Sequence, residues 1–79
     1  MGHARPRPQR LAQKLLQIRT ALGMSQTQIA KRIGITDYTV ISKFELDKNE
    51  PSLMTLLAYS RLAGVRVEMI IDDDLNLEL

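Results

Sequence analysis

The amino-acid sequence predicts an all-α domain of five short helices. Apolar residues recur at the helical spacings of three and four along most of residues 10–71. Gly23, Gly34 and Gly64 follow three of these stretches, as expected of residues that end helices in the left-handed conformation. The chain has 79 residues and no cysteine, so we expect one small domain without a disulfide framework or a thiolate zinc site.

The first helix is predicted over residues 10–22. Leu11, Leu15, Ile18 and Leu22 form an apolar stripe along one side of it. Three polar residues between them are expected to face away from the core: Gln13, Lys14 and Gln17.

Two further helices follow after short turns. Ser25 and Gln28 have the spacing of a capping box, which predicts a second helix over residues 26–33. Asp37 is the expected N-cap of a third helix over residues 38–45. Apolar residues three apart in this third helix predict one buried and one polar face.

The rest of the chain is less regular. Ser52 is the expected N-cap of a fourth helix over residues 53–63. Residues 65–71 fit a short helix and a strand equally well, because their apolar positions satisfy both periodicities. We interpret the acidic residues 72–74 as a solvated run, because consecutive acids outside a defined loop do not converge on a cation.

The sequence divides into a basic arm, a domain and a tail. Residues 1–9 contain two prolines and no apolar periodicity, which predicts a disordered arm; an arm lying on nucleic acid is the alternative. Residues 10–74 form the predicted domain, and residues 75–79 a C-terminal tail. His3 is the only histidine and has no second ligand near it, so neither a metal nor a cofactor is expected.

Charge is unevenly distributed along the chain. Residues 1–48 have a net charge of +6, whereas residues 49–79 have a net charge of −4. A cationic half favours a polyanionic partner, although ordinary surface charge is the simpler interpretation. No apolar run approaches the roughly 18 residues that span a membrane, and no apolar stretch follows the basic N-terminus as in a secretory signal. We therefore expect a cytoplasmic protein.

Two short helices joined by a tight turn and flanked by further helices are the layout of a helix-turn-helix. Residues 22–30 (LGMSQTQIA), 41–45 (ISKFE) and 50–53 (EPSL) resemble the phage-repressor-like family of lambda-repressor and Cro type, also called the XRE family. The resemblance covers residues 10–74. It implies a compact five-helix lambda-repressor-like domain in which helices 2 and 3 form the helix-turn-helix.

The sequence departs from the family pattern at two places. The interval from Gly34 to Glu45 is one residue longer than usual, and we expect the extra residue in the turn at residues 35–37. Asp47 stands where the family usually has glycine. Aspartate tolerates the left-handed region at a cost of about 1 kcal/mol, so the end of helix 3 is expected to be preserved.

The resemblance implies a transcriptional regulator, expected to be a repressor, that places helix 3 in the major groove of double-stranded DNA. It further implies a homodimer on an inverted repeat. The implied base-reading residues are Tyr38, Thr39, Ser42 and Lys43; the implied phosphate contacts are Gln26, Lys31, Lys48 and Asn49. Arg19 and Glu45 correspond to a structural ion pair between helices 1 and 3. Partial packing against helix 2 is an alternative role for Tyr38.

Functions other than DNA binding have sequence signatures of their own. The sequence shows no nucleophile–base pair, phosphate-binding glycine loop or metal cluster, so an enzyme is not expected. The main alternative is a protein-interaction adaptor, or an antitoxin, that uses the same fold. Four apolar residues near the C-terminus are the predicted dimer interface: Val65, Met69, Leu75 and Leu77.

Overall fold

A computed structural model describes residues 8–79. Its helices are α1 (Leu11–Ala21), α2 (Gln26–Ile33), α3 (Thr39–Glu45), α4 (Leu53–Ala63) and α5 (Val67–Ile71). The described range contains no strand, and most of residues 65–71, which fitted a helix and a strand equally well, lies in α5. The all-α fold is therefore confirmed. Most of the predicted arm, residues 1–7, lies outside the described residues.

The core forms where α3, α4 and α5 pack against α1, while α2 packs against α3 and α4. Leu15 and Ile18 of α1 are completely buried, as are Ile29 of α2, Ile41 of α3 and Ile70 of α5. Each such side chain contributes roughly 1.5–3 kcal/mol of burial free energy. The predicted apolar stripes therefore converge on one core, which fixes α3 against α1 and α2 and leaves its other face outside.

Local sequence signals set the ends of α2 and α4 as predicted. The Ser25 hydroxyl accepts a hydrogen bond from the Gln28 backbone N–H, and the Gln28 side chain accepts one from the Ser25 N–H, which confirms the capping box. The Ser52 hydroxyl likewise accepts from the Thr55 N–H at the start of α4. Gly34 ends α2 with a φ of 82°.

The boundaries of α3 differ slightly from the prediction. The helix begins at Thr39, and its N-cap position is Tyr38, whose side chain makes no capping hydrogen bond. The Asp37 carboxylate nevertheless accepts a hydrogen bond from the Thr39 N–H. Asp37 therefore caps α3 from the residue before the N-cap position and does not occupy the N-cap position itself. Asp47 has a φ of 59°, which confirms the left-handed residue after α3.

Lys14 does not face away from the core, as the periodicity of α1 had suggested. It has no solvent exposure, and its ammonium donates to the backbone carbonyls of Met69, Asp72 and Leu75 at 2.8, 2.7 and 2.7 Å. The prediction was wrong because the segment after α5 returns across α1 and covers this side chain. Burial, with a smaller effect from Arg10, lowers the pKa of Lys14.

The acidic run after α5 is also not simply solvated. The Asp73 carboxylate accepts hydrogen bonds from the backbone N–H groups of Gln9 and Arg10, at 2.8 and 2.9 Å. These two bonds hold the pKa of Asp73 below its usual range. The Arg10 guanidinium in turn donates to the Asp73 carbonyl and to the Asn76 side chain. Gln9 and the C-terminal segment therefore belong to the folded domain, and Asp73 stabilises the start of α1.

Candidate nucleic-acid interface

The outward face of α3 brings the predicted base-reading residues together. Thr39 and Lys43 are exposed and lie one helical turn apart, while Ser42 is half-buried. Tyr38, just before the helix, keeps 51% of its surface exposed. On the opposite face, Ile41 and the neighbouring phenylalanine are buried in the core. The helix thus presents polar side chains outward from a rigid base.

Asp37 and Thr39 form a hydrogen-bonded unit at the start of α3. One carboxylate oxygen, Oδ1, accepts from the Thr39 hydroxyl at 2.7 Å and from the Thr39 backbone N–H at 3.0 Å. The hydroxyl hydrogen bond, then the backbone one, lowers the pKa of Asp37, and the charge of Lys43 acts in the same direction. Sequence reasoning had assigned Asp37 only a capping role and missed its bond to the Thr39 side chain.

The predicted ion pair joins α1 to the end of α3. Arg19 Nε lies 2.7 Å from Glu45 Oε2, and Arg19 Nη2 donates to Glu45 Oε1 at 3.1 Å. The two side chains retain 20% and 7% exposure, so the pair is largely desolvated. A third donor of the guanidinium reaches the Met24 carbonyl. The hydrogen bond to Glu45 raises the pKa of Arg19, which stays charged.

Gln26, predicted to contact phosphate, also bonds to this pair. Its amide nitrogen Nε2 donates to Glu45 Oε1 at 3.1 Å. The Glu45 carboxylate therefore receives hydrogen bonds from α1 and from the first residue of α2, and it links both to α3. This contact fixes the relative position of the two helices of the helix-turn-helix.

The other predicted phosphate-binding residues are exposed and lie on different elements. Lys31 is in the last turn of α2, next to Arg32. Lys48 and Asn49 lie in the loop after α3, and their backbone N–H groups donate to the Lys43 carbonyl at 2.9 and 3.3 Å. These hydrogen bonds hold the loop after α3 against the end of that helix.

Metal-binding clusters and membrane-spanning helices are both absent from residues 8–79. No group of three histidine, aspartate or glutamate side chains in this range is arranged to hold a metal ion. His3 lies outside the described residues. Within the same range, every helix is too short or too polar to cross a lipid bilayer.

Comparison with known proteins defines the class of this chain. Residues 15–70 match the helix-turn-helix family model, so the chain belongs to that family, whose members are DNA-binding regulators. The fold resembles the P22 c2 repressor in complex with synthetic operator 9T, with a TM-score of 0.73 at 23% identity over 81% of this chain and 96% of that one. The five helices are thus those of a lambda-repressor-like domain.

Two other groups of proteins are similar. The restriction-modification controller protein C.AhdI from Aeromonas hydrophila has a TM-score of 0.66 at 25% identity, over 75% of this chain and 88% of that one. Antitoxin HigA1 from two strains of Mycobacterium tuberculosis is 35% identical over 63 residues, which are 80% of this chain. The match spans only 42% of the length of these antitoxins.

Proposed function

We propose that this domain binds double-stranded DNA sequence-specifically and regulates transcription, as a repressor, with α3 in the major groove. The supporting observation is the outward polar face of α3, which the Glu45 carboxylate holds against α1 and α2. In helix-turn-helix proteins the second helix contacts base edges through its N-terminal residues. Membership of the family and the P22 c2 repressor fold support the same function.

The proposed base contacts follow from side-chain chemistry. The Lys43 ammonium donates to O6 and N7 of guanine, which is the contact that lysine makes most readily in the major groove. Thr39 lies one helical turn before Lys43 on the same exposed face and contacts a neighbouring base. Tyr38 lies at the edge of this surface, and Ser42 contacts either a base or a phosphate.

The proposed phosphate contacts surround this surface. Lys31, Lys48 and Asn49 are exposed and reach the DNA backbone from α2 and from the loop after α3. Gln26 contributes from the start of α2, where its amide is held by Glu45. Such contacts position α3 without reading sequence, and they make binding depend on salt through counterion release.

A second copy of the chain completes the proposed binding unit. One short recognition helix reads only a few base pairs, and two copies on an inverted repeat with half-sites about 10–10.5 base pairs apart double the contacts. The four apolar residues of the predicted interface are half-buried in one copy, and two of them, Val65 and Leu77, pack against the core. Leu53 and Met54 are each 70% exposed, and Leu46 is 61% exposed.

We propose that these three residues, Leu46, Leu53 and Met54, form the contact between copies. Leu46 is the C-cap residue of α3, and the other two open α4. A two-fold contact at this place sets the separation of the two α3 helices directly. That separation must match the half-site spacing, so the position of Leu46, Leu53 and Met54 at the end of α3 and the start of α4 supports their role in joining two copies.

The test of DNA binding is selection of sites from a random duplex library, followed by titration at several salt concentrations. We expect one enriched inverted repeat and an affinity that falls steeply with salt. Arg61→Ala is a suitable control for the loss of one positive charge, because Arg61 is exposed and lies in the last turn of α4. A library that shows no enrichment over unselected DNA would contradict the proposal.

An antitoxin role is the second candidate, and the 35% identity to antitoxin HigA1 supports it. This role is compatible with DNA binding. It predicts that an adjacent gene encodes a protein that arrests growth and that co-expression of this chain restores growth. Continued arrest during co-expression would contradict the antitoxin role and leave the regulator role intact.

A further inference from the structure

Two side chains at the start of the recognition helix are arranged to accept hydrogen bonds from outside. The Thr39 hydroxyl already donates its only hydrogen to Asp37 Oδ1, 2.7 Å away. Its oxygen therefore has only acceptor capacity left for a ligand. The exposed Asp37 carboxylate is held by the same bond and by the Thr39 N–H, and its Oδ2 accepts no hydrogen bond from residues 8–79.

The opposite hydrogen-bonding character is found one turn further along the same face. Lys43 is exposed and its ammonium has donors only. Thr39 and Lys43 are four residues apart, or roughly 6 Å along the helix axis, which corresponds to about two base-pair steps. The recognition face thus has acceptors at its beginning and a donor near its end.

We propose that Asp37 and Thr39 together read a base that offers an exocyclic amine in the major groove, cytosine before adenine, and exclude guanine at that position. The proposal rests on the DNA binding proposed above. A carboxylate accepts from the N4 amine of cytosine. Adenine ranks second because its N7 acceptor lies beside the N6 amine. Guanine presents only the acceptors O6 and N7, and thymine presents the acceptor O4, so both repel the pair.

The charge of Asp37 strengthens this discrimination. Its two hydrogen bonds from Thr39 hold the pKa of the carboxyl below its usual range, so it stays ionised and cannot donate at neutral pH. An ionised carboxylate near DNA costs binding energy on every sequence, through repulsion by phosphates and base acceptors. Only a base that supplies an amine offsets that cost, so Asp37 lowers affinity for incorrect sites more than for the correct one.

The test compares the wild type with Asp37→Asn and Asp37→Ser in the same random-library selection. Both replacements are good capping residues, so α3 and the melting temperature should be preserved. We expect the wild type to select cytosine, then adenine, at the base facing the start of α3. In titrations we expect roughly tenfold weaker binding when guanine replaces that base. Both variants should lose this preference at that one position and keep the rest of the motif.

Asp74→Asn is the control for charge, because it removes one exposed acid from the C-terminal segment. It should leave every position of the selected motif unchanged. An unaltered motif in both Asp37 variants would overturn this inference and leave the proposed function standing. A wild-type chain that selects no motif at all would overturn the proposed function, and the inference with it.

Discussion

Tyr59 places a phenolic hydroxyl in the centre of the core without a hydrogen-bond partner among the described residues. The side chain is completely buried, and Glu45 and Arg19 are its charged neighbours. Burial, then the negative charge of Glu45, raises the pKa of Tyr59 well above its ordinary value of 10.0. An unpaired buried hydroxyl costs free energy of folding. The Tyr59 ring therefore stabilises the core by packing, whereas its hydroxyl group destabilises the folded state.

Tyr59→Phe should therefore leave stability unchanged or raise it by up to about 1 kcal/mol in urea unfolding. It should also change the pH dependence. In the wild type, the unfolded chain ionises this tyrosine near pH 10 while the folded chain does not, so stability falls as the pH rises above about 10. The variant should lose that part of the slope, whereas Tyr38→Phe, at an exposed position, should keep it. Identical alkaline slopes in wild type and Tyr59→Phe would contradict the buried, protonated state.

The Arg19–Glu45 pair should contribute to the stability of the folded domain. Glu45→Ala removes three hydrogen bonds and leaves a poorly solvated guanidinium, so it should cost about 2 kcal/mol, more than an exposed pair. For a domain of this size we expect the melting temperature to fall by roughly 8–16 °C. Arg19→Ala should act similarly, and the double variant should be no worse than the sum of the two.

Arg66→Ala is the matched control for these measurements. Arg66 and Glu68 form an ion pair at 4.0 Å whose side chains are mostly exposed. Its loss should change stability by less than about 0.5 kcal/mol. If Glu45→Ala behaved like this control, Glu45 would not hold α3 in place.

At the scale of the helices, local signals predicted structure well and distant contacts were missed. The bounds of α2 and α4 follow from their serine N-caps and terminal glycines, which act over a few residues. Lys14 was misplaced because its partners lie 55 or more residues away, in a segment whose return across α1 no periodicity reveals. The same difference is seen at the site, since the family resemblance implied the Arg19–Glu45 pair, whereas the Asp37 bond to the Thr39 hydroxyl depends on side-chain geometry.

Lys14→Met tests the connection between α1 and the C-terminal segment. Methionine fills similar space but offers no donors to the three carbonyls that the Lys14 ammonium contacts, so we expect a loss of about 2–3 kcal/mol. Amide hydrogen exchange should quicken most in residues 72–79. Gln17→Met, at an exposed position on the same helix, should alter neither quantity. Unchanged exchange in residues 72–79 would show that Lys14 does not hold that segment.

At the scale of the whole molecule, the proposed function requires two copies whose α3 helices have a fixed separation. Three apolar side chains, those of Leu46, Leu53 and Met54, are largely exposed. Scattered exposed apolar residues are ordinary, but three at the end of α3 and the start of α4 support the contact proposed above between two copies. The exposure of these residues was not evident from the sequence, because local periodicity does not show which side chains the neighbouring elements cover.

Leu53→Asp should therefore abolish two-copy binding on an inverted repeat without lowering the melting temperature, because this side chain is 70% exposed. Sedimentation of the protein–DNA complex distinguishes one bound copy from two. Leu79→Asp is the matched control, since Leu79 is also exposed but belongs to the C-terminal segment. Two bound copies of Leu53→Asp with undiminished cooperativity would place the contact elsewhere.

The proposed function requires that α3 reads bases while the residues around it only position it. The most direct measurement is the affinity of wild type, Lys43→Ala and Lys48→Ala for the selected site and for a scrambled duplex at one salt concentration. Lys43→Ala should lose about 1–3 kcal/mol on the selected site alone, and Lys48→Ala should lose similar amounts on both duplexes. Equal losses of Lys43→Ala on the selected and scrambled duplexes would contradict base reading by α3.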